Sequence, residues 1–520
     1  MIARPHPSSV CRIRARLGRA AVCAGALLLA VVVEPVVPAA AQQMMITRTP
    51  GPSGPSMRPP SMRPPAMRPP EMRPPAIRPP SFEPRRPRPH WGGPGIVIAV
   101  PPPPPPVEIL PDDPPPRRAA RRPPPPARTA TSRPPQRRPG FVVPAASERR
   151  FRPNEVILDI AADVPEAELV SLARRNRLTR LQSQEFPLTG RKLFRWRIDD
   201  GRSVAAVIRA LQREARIGAA QPNYVYALQE QAALPSAAAA APPEAQYTLA
   251  KLRVPEAHQV ARGDSVLVAV IDSGIDASHP DLDGVVAESF DAVDDDKPHA
   301  HGTGMAGAIA AHGRVMGVAP AVKLLAVRAF SPTKKSADGT TFDILRGLDW
   351  AVSKGARVVN MSFAGPPDAM LARALAAARK KGVVLIAAAG NAGPKAPPLY
   401  PAADDNVIAV TATDIDDKVF ARANRGTHLT VAAPGVDILV PAPGAGYQIS
   451  SGTSVAAAHV SGIAALLIEA NRDLDPDGAR RLLTATARDL GKKGRDTDYG
   501  FGLADAYGAL LATEAKTAGR

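Results

Sequence analysis

Of 520 residues only two are cysteine, Cys11 and Cys23, and both lie near the N-terminus. Aromatic side chains are also scarce, at 4%. Long uncharged apolar runs are absent beyond one N-terminal stretch. That stretch, Ala20 to Val33, follows Arg12, Arg14, Arg16 and Arg19, and is ended by Glu34 and Pro35. Ala39, Ala40 and Ala41 then offer small residues for a cut. The pattern is that of a secretory signal over residues 1–41, too short to span a bilayer comfortably. A retained N-terminal anchor is the alternative. Removal of the signal takes both thiols with it. Disulfides, thiolate metal sites and a cysteine nucleophile are then excluded, and stability must come from packing. Without aromatics interleaved among basic residues, and without a recognised module, no nucleic-acid binding is expected.

Proline and arginine are what the chain has in excess. The formal net charge of +18 divides into +4 on residues 1–43, +12 on residues 44–147 and +2 on residues 148–520. The basic character therefore belongs to signal and tail and says little about a substrate. Residues 44–147 hold 35 of the 61 prolines. Met-Arg-Pro-Pro-x repeats from Met57, ending with Ile77-Arg78-Pro79-Pro80, and six prolines fill positions 101–106. Such a segment cannot form a core, so residues 42–148 are expected to be a disordered, partly polyproline II tail. Gly95 to Val100 is an isolated strand candidate within it. The tail is either a solvated spacer or an arm for an anionic envelope surface or a peptide-binding domain.

Residues 149–228 read as a small α+β domain. Glu155–Ile160 is a strand candidate, and Pro165–Leu178 follows at helical spacing. Phe194, Trp196 and Ile198 alternate with arginines, as in a half-buried strand. Val204–Arg213 is a second helix and Tyr224–Tyr226 a last strand. The order βαββαβ predicts a ferredoxin-like fold. Residues 229–246 form an Ala/Pro/Gln linker, open to proteolytic nicking. From residue 247 to 512 the pattern becomes strand–helix alternation. Strands are expected at Val266–Ile271, Leu324–Val327, Arg357–Met361, Val383–Ala388 and Val407–Val410. Helices are expected near 305–312, 341–354, 367–381 and 454–470. This predicts an α/β fold with a mainly parallel, doubly wound sheet whose functional loops gather at the carboxyl ends of the strands. Residues 513–520 are a C-terminal tail.

Three blocks carry the chemistry: Val270-Ile271-Asp272-Ser273-Gly274, His301-Gly302-Thr303-Gly304, and Ser451-Gly452-Thr453-Ser454-Val455-Ala456-Ala457. Ser454 opens a helix that is small or apolar nearly all round, where the helix dipole favours developing negative charge. Taken alone it is a plain N-cap serine; given a base it can be a nucleophile. His301 can take and return the serine proton. Its rivals are His279, His312, His428 and His459, and His459 is expected to be a packed core residue. Asp272 comes straight off an apolar strand and is preferred over Asp276 as the partner of the imidazole. Asn391, after Gly390, is either a turn residue or an amide donor to an oxyanion.

Together these blocks, with HPDL, AAAGNAG and SGTSVAAAHVSG, resemble the subtilisin-like serine proteases (peptidase S8) over roughly residues 247–512. The resemblance implies a triad of Asp272, His301 and Ser454 with Asn391 as oxyanion donor. It implies that Ser362, Phe363, Ala364 and Gly365 pair with a substrate backbone, and that Ala388, Ala389 and Gly390 wall the specificity pocket. Residues 149–228 are similar to the family's propeptide, an intramolecular inhibitor, which implies self-cleavage between Leu228 and Gln246. The expected protein is a monomeric exported endopeptidase of proteins or peptides, periplasmic or extracellular, made as a zymogen without cofactor. Three departures stand out. Ala458 replaces a usual proline. Ala364 replaces a usual glycine, which is expected to narrow the cleft. The stretch from His301 to Pro320 lacks the loop that wraps the family's tight calcium site, so no metal is expected. The rival reading is an envelope interaction protein with a degenerate protease domain and a functional Pro/Arg tail.

Overall fold

A computed structural model describes residues 138–228, 234–235, 246–294, 297–333 and 336–518. The expected signal, the strand candidate at 95–100, the tail before residue 138 and most of the linker lie outside the described residues. Those described belong to one packed unit.

Residues 151–228 form β1 (Phe151–Ile160), α1 (Glu166–Asn176), β2 (Leu178–Phe186), β3 (Arg191–Ile198), α2 (Val204–Leu211) and β4 (Ile217–Leu228). The order is the expected βαββαβ, and the strands lie side by side as β2-β3-β1-β4. Alternation explains the packing. Phe194, Trp196 and Ile198 turn inward with Val156, Leu158 and Ile160, while α1 and α2 cover them with Leu169, Leu172, Val207 and Ile208. α2 starts where the Ser203 side chain accepts from Ala206 N. Strand β2 had no clear signature, because its middle residues are mostly exposed and polar. Packing also begins before residue 149: Phe141 is buried in this core, and Arg138 donates to the carbonyls of Gln212, Glu214 and Ile217.

Two residues of the expected linker, β5 (Leu234–Pro235), are paired. Two short helices, α3 (Tyr247–Lys251) and α4 (Val254–Ala257), then lead into the larger region. Its elements are β6 (Leu267–Asp272), β7 (Val286–Asp291), α5 (Ala300–Ala310), β8 (Lys323–Arg328), β9 (Ser331–Pro332), β10 (Ala337–Thr340) and α6 (Thr341–Ser353). They continue as β11 (Val358–Met361), β12 (Phe363–Ala364), α7 (Ala369–Lys380), β13 (Val384–Ala388), β14 (Ile408–Thr413) and β15 (Val431–Pro434). Last come β16 (Ile438–Ala442), β17 (Gly446–Ser450), α8 (Thr453–Ala470), α9 (Pro476–Ala485) and α10 (Ala506–Ala518).

Seven parallel strands run β15-β14-β13-β11-β6-β8-β7. Period-two alternation sends Val268, Val270, Val358, Val384 and Ile386 to the layer holding α5 and α8. Ala269, Ile271, Val359, Met361 and Leu385 face the layer holding α6 and α7. Burial on both faces is why these strands read as unbroken apolar runs. α8 is long and apolar enough to cross a bilayer, yet 89% of it is buried inside the protein. The hairpin β16–β17, β7 and β15 had no strong signal of their own, being short or largely exposed.

Candidate active site

Asp272 is the last residue of β6 and is fully buried. A buried carboxylate is costly unless its oxygens are hydrogen-bonded. Here Oδ1 accepts from Ser273 N at 2.8 Å and from Ser273 Oγ at 3.0 Å. His301 Nδ1 lies 2.8 Å from Oδ1 and 3.0 Å from Oδ2. With the Nδ1 proton given to the carboxylate, Nε2 is the basic ring nitrogen.

His301 is the second residue of α5, whose first free N–H groups are capped by His299. The His299 ring accepts from His301 N and lies 3.0 Å from Ser273 Oγ. Gly302 lets this helix start approach the strand end: a Cβ there would sit 2.4 Å from the Gly274 carbonyl oxygen. The sequence reading missed Ser273 and His299. Their signal was adjacency, one following the acid and the other two residues before the base.

The rival residues have other work. Asp276 accepts from Ser278 N, Ser278 Oγ and Gly444 N, at 3.1, 2.6 and 2.8 Å, and so staples a loop. His279 accepts from Asp281 N, and its other nitrogen donates to Gly446 O. His312 bonds to the Asp281 carbonyl. His459 donates to the Pro434 carbonyl at 2.9 Å inside α8, and burial pushes its pKa down to about 4.

Met361 pairs with Ile271 on the neighbouring strand, so Ser362 and Asp272 follow at the same level of the sheet. Ser454, second residue of α8, reaches this level. Its hydroxyl donates to the Ser362 carbonyl at 3.2 Å, and the Ser362 hydroxyl donates back to the Ser454 carbonyl at 3.0 Å. α5 and α8 pack against each other. Asn391 follows β13, the next strand along. Its Oδ1 accepts from Thr453 N at 3.1 Å and Thr453 Oγ at 2.9 Å, which fixes the amide plane. Thr453 Oγ also accepts from Gly390 N at 3.1 Å. Thr453 is thus a positioning residue that motif reading passed over, although it stands beside Ser454. Ala388 and Ala389 are fully buried, and Gly390 takes a positive φ of 106° where a Cβ would lie 2.8 Å from Leu399 Cδ1.

The cleft beside these residues is occupied by β4. It runs antiparallel to β10, with Val225 opposite Thr340 and Tyr226 opposite Gly339. On its other side it runs antiparallel to β12, with Ala227 opposite Ala364 and Leu228 opposite Phe363. A backbone strand therefore pairs beside the methyl of Ala364. The small domain also serves helix starts across the interface. Asn223 Oδ1 accepts from Phe342 N at 3.3 Å, and Gln221 Oε1 accepts from Met370 N at 3.1 Å.

Comparison with known proteins places this arrangement. The model of the subtilase family matches residues 263–502. A thermophilic serine proteinase of Bacillus sp. (strain AK1) is 36% identical over 323 residues, which is 59% of this chain and 76% of that protein. Thermitase of Thermoactinomyces vulgaris is 36% identical over 51% of this chain and 95% of its own length. Among solved structures, fervidolysin from Fervidobacterium pennivorans, a keratinolytic enzyme related to subtilisin, matches with a TM-score of 0.59 and 25% identity. That match covers 69% of this chain and 61% of fervidolysin. Fold and relatives define a subtilisin-like serine protease, a hydrolase of peptide bonds. The chain belongs to the subtilase family, peptidase S8.

Proposed function

We propose that this chain is the precursor of an exported serine endopeptidase that processes itself. Ser454 attacks the peptide carbonyl. His301 accepts its proton through Nε2 and returns it to the leaving amine. Asp272 holds the imidazole in the productive tautomer and stabilises the imidazolium. The Asn391 amide and the Ser454 N–H, at the start of α8, stabilise the oxyanion. Ser362 to Gly365 pair with the substrate backbone, and Ala388, Ala389 and Gly390 wall the pocket for the residue before the cut. The signal over residues 1–41 directs export to the periplasm or beyond. Residues 149–228 act as inhibitor, residues 247–512 as the protease, and the Pro/Arg tail contacts an anionic envelope surface.

The observation that carries this reading is the seat of β4. A strand between β10 and β12 occupies the place of a substrate backbone, and its last residue, Leu228, stands opposite Phe363, next to Ser362. On the far side Leu234 pairs with Ile449 and Pro235 with Gln448, just before Ser454 in the chain. The end of β4 at Leu228, beside Phe363, supports self-cleavage in the interval from Leu228 to Gln246. A fluorophosphonate probe tests the nucleophile. Labelling of the processed protein at Ser454, lost in Ser454→Ala, is the expected result. An unlabelled, processed protein overturns the assignment.

A further inference from the structure

β4 carries a tyrosine into a pocket floored by the Asp368 carboxyl, whose pKa burial raises. Tyr226 is fully buried, and its ring meets Phe363 edge to face at a centroid distance of 5.8 Å. Gly365 lies flat against the ring, since a Cβ there would come within 2.3 Å of it. At the far end the hydroxyl is 3.3 Å from the Pro366 carbonyl and 3.4 Å from Asp368 Oδ2. Asp368 is the N-cap of α7, and Oδ1 accepts from Met370 N at 2.9 Å and Leu371 N at 3.0 Å. Oδ2 accepts from Thr341 Oγ at 2.6 Å. Gln221 of the small domain supplies one more donor to Oδ1, at 2.7 Å.

We propose that Asp368 and the Pro366 carbonyl make this pocket a reader of the tyrosine hydroxyl, so that the enzyme prefers tyrosine over phenylalanine at that position of its substrates. This deepens the proposed protease function and rests on it. In a substrate laid in the register of β4, the residue opposite Ser362 comes three places after the one in the Tyr226 position, because Leu228 faces Phe363 and Ala227 faces Ala364. The reading position is therefore the fourth residue before the scissile bond. Once the small domain departs, Gln221 leaves with it, while the donors from Met370, Leu371 and Thr341 stay. The carboxylate thus keeps its orientation and turns Oδ2 toward the incoming side chain. Phenylalanine would fill the ring space and leave that oxygen and the Pro366 carbonyl desolvated against a hydrocarbon edge. Sites built to hydrogen-bond a hydroxyl reject the analogue lacking it for this reason. Burial, then the Asp368 charge, pushes the Tyr226 phenol well above its usual pKa, so it stays a neutral donor.

The test uses the enzyme released from the full-length chain and peptides differing only in the fourth residue before the cut. Tyrosine, phenylalanine, O-methyltyrosine and lysine are compared, with the cleaved bond mapped by mass spectrometry. We expect kcat/KM for tyrosine about tenfold above phenylalanine, and O-methyltyrosine no better than phenylalanine. Asp368→Ser keeps a helix cap but lacks the reach, so its ratio falls to a few-fold, with the Pro366 carbonyl left as the acceptor. A ratio near one in the wild type, a ratio unchanged in Asp368→Ser, or a preference for lysine overturns the proposal. These outcomes leave the protease reading intact while cleavage still vanishes in Ser454→Ala. If no peptide is cut at all, or cutting persists in Ser454→Ala, both readings fail. The comparison with O-methyltyrosine needs no variant to fold.

Discussion

The site residues of the large region are held by that region's own atoms: Asp272 by Ser273, Asn391 by Thr453, and His301 by Asp272. In the small N-terminal domain the decisive polar contacts reach outward. Asn223 and Gln221 satisfy N–H groups at the starts of α6 and α7, while Leu188 N is satisfied in turn by Asp349 at 2.8 Å. Their cores differ as well. The large sheet is covered on both faces, whereas β2 keeps much of its length exposed. The small domain's last strand and polar groups are thus completed by its neighbour, while the candidate site residues are braced from within their own region.

Breaking the bracing should have the largest effect. In the proposed mechanism Asn391→Ala removes an oxyanion donor, and kcat is expected to fall ~10²–10³-fold in steady-state assays while KM changes little. Thr453→Val, which removes the hydroxyl bond to the Asn391 oxygen and keeps the backbone one, should act in the same direction and less. A rise in KM alone with kcat intact would detach Asn391 from the chemistry.

Acid should separate the two regions next. The described small domain has no histidine, whereas His459, fully buried in the large one, has its pKa lowered to about 4 by burial. A buried histidine held neutral binds its proton more weakly folded than unfolded. Stability is therefore full above about pH 6.5 and is lost as pH falls toward 4, by about 3 kcal/mol from this group. Burial lowers His258 and His428 in the same direction. In the small domain burial tends to raise Glu155, but hydrogen bonds from Arg195 and Asn223 outweigh it and hold the carboxyl below its usual value. Its contribution persists until pH drops below the ordinary carboxylate range. Denaturant melts of the Ser454→Ala precursor at pH 7, 5 and 4 check the order. Equal pH slopes in the wild-type and His459→Asn proteins would contradict it.

Docking is the next lever. Asp349→Ala leaves Leu188 N without its acceptor, and should weaken precursor stability by about 1–2 kcal/mol without lowering kcat of the processed enzyme. Smallest of all is the expected response to chelator. Asp281 accepts from Arg314 N at 2.9 Å, Val315 N at 2.8 Å and the Tyr447 hydroxyl at 3.0 Å, while Gln246 bonds the backbone of Met316. Protein donors thus occupy both oxygens of Asp281. The melting temperature in EDTA should match that in calcium; a steep fall would reveal a site elsewhere.

Much of this was legible in the chain. The apolar runs of β6, β11 and β13 are buried on both faces, so composition alone marked them, and the helices expected near 341–354 and 454–470 are found at Thr341–Ser353 and Thr453–Ala470. Asp272, His301, Ser454 and Asn391 lie at strand or helix ends, where glycine punctuation flags them. Three things were not legible. Thr453 and His299 stand beside the marked residues, but their bonds to Asn391 and Ser273 cross the fold and spacing does not give them. The pairing of Leu234 and Pro235 with β17 depends on a partner more than 200 residues away. Asp368 reads as an ordinary helix cap until Tyr226 is seen above it.

The central claim is that the strand in the cleft is delivered to Ser454 by its own chain. N-terminal sequencing of the wild-type and Ser454→Ala proteins, each purified alone, tests it most directly. The account predicts a wild-type product beginning between residues 229 and 246, and a variant that keeps the small domain attached. A variant that matures at the same bond without added protease would contradict it.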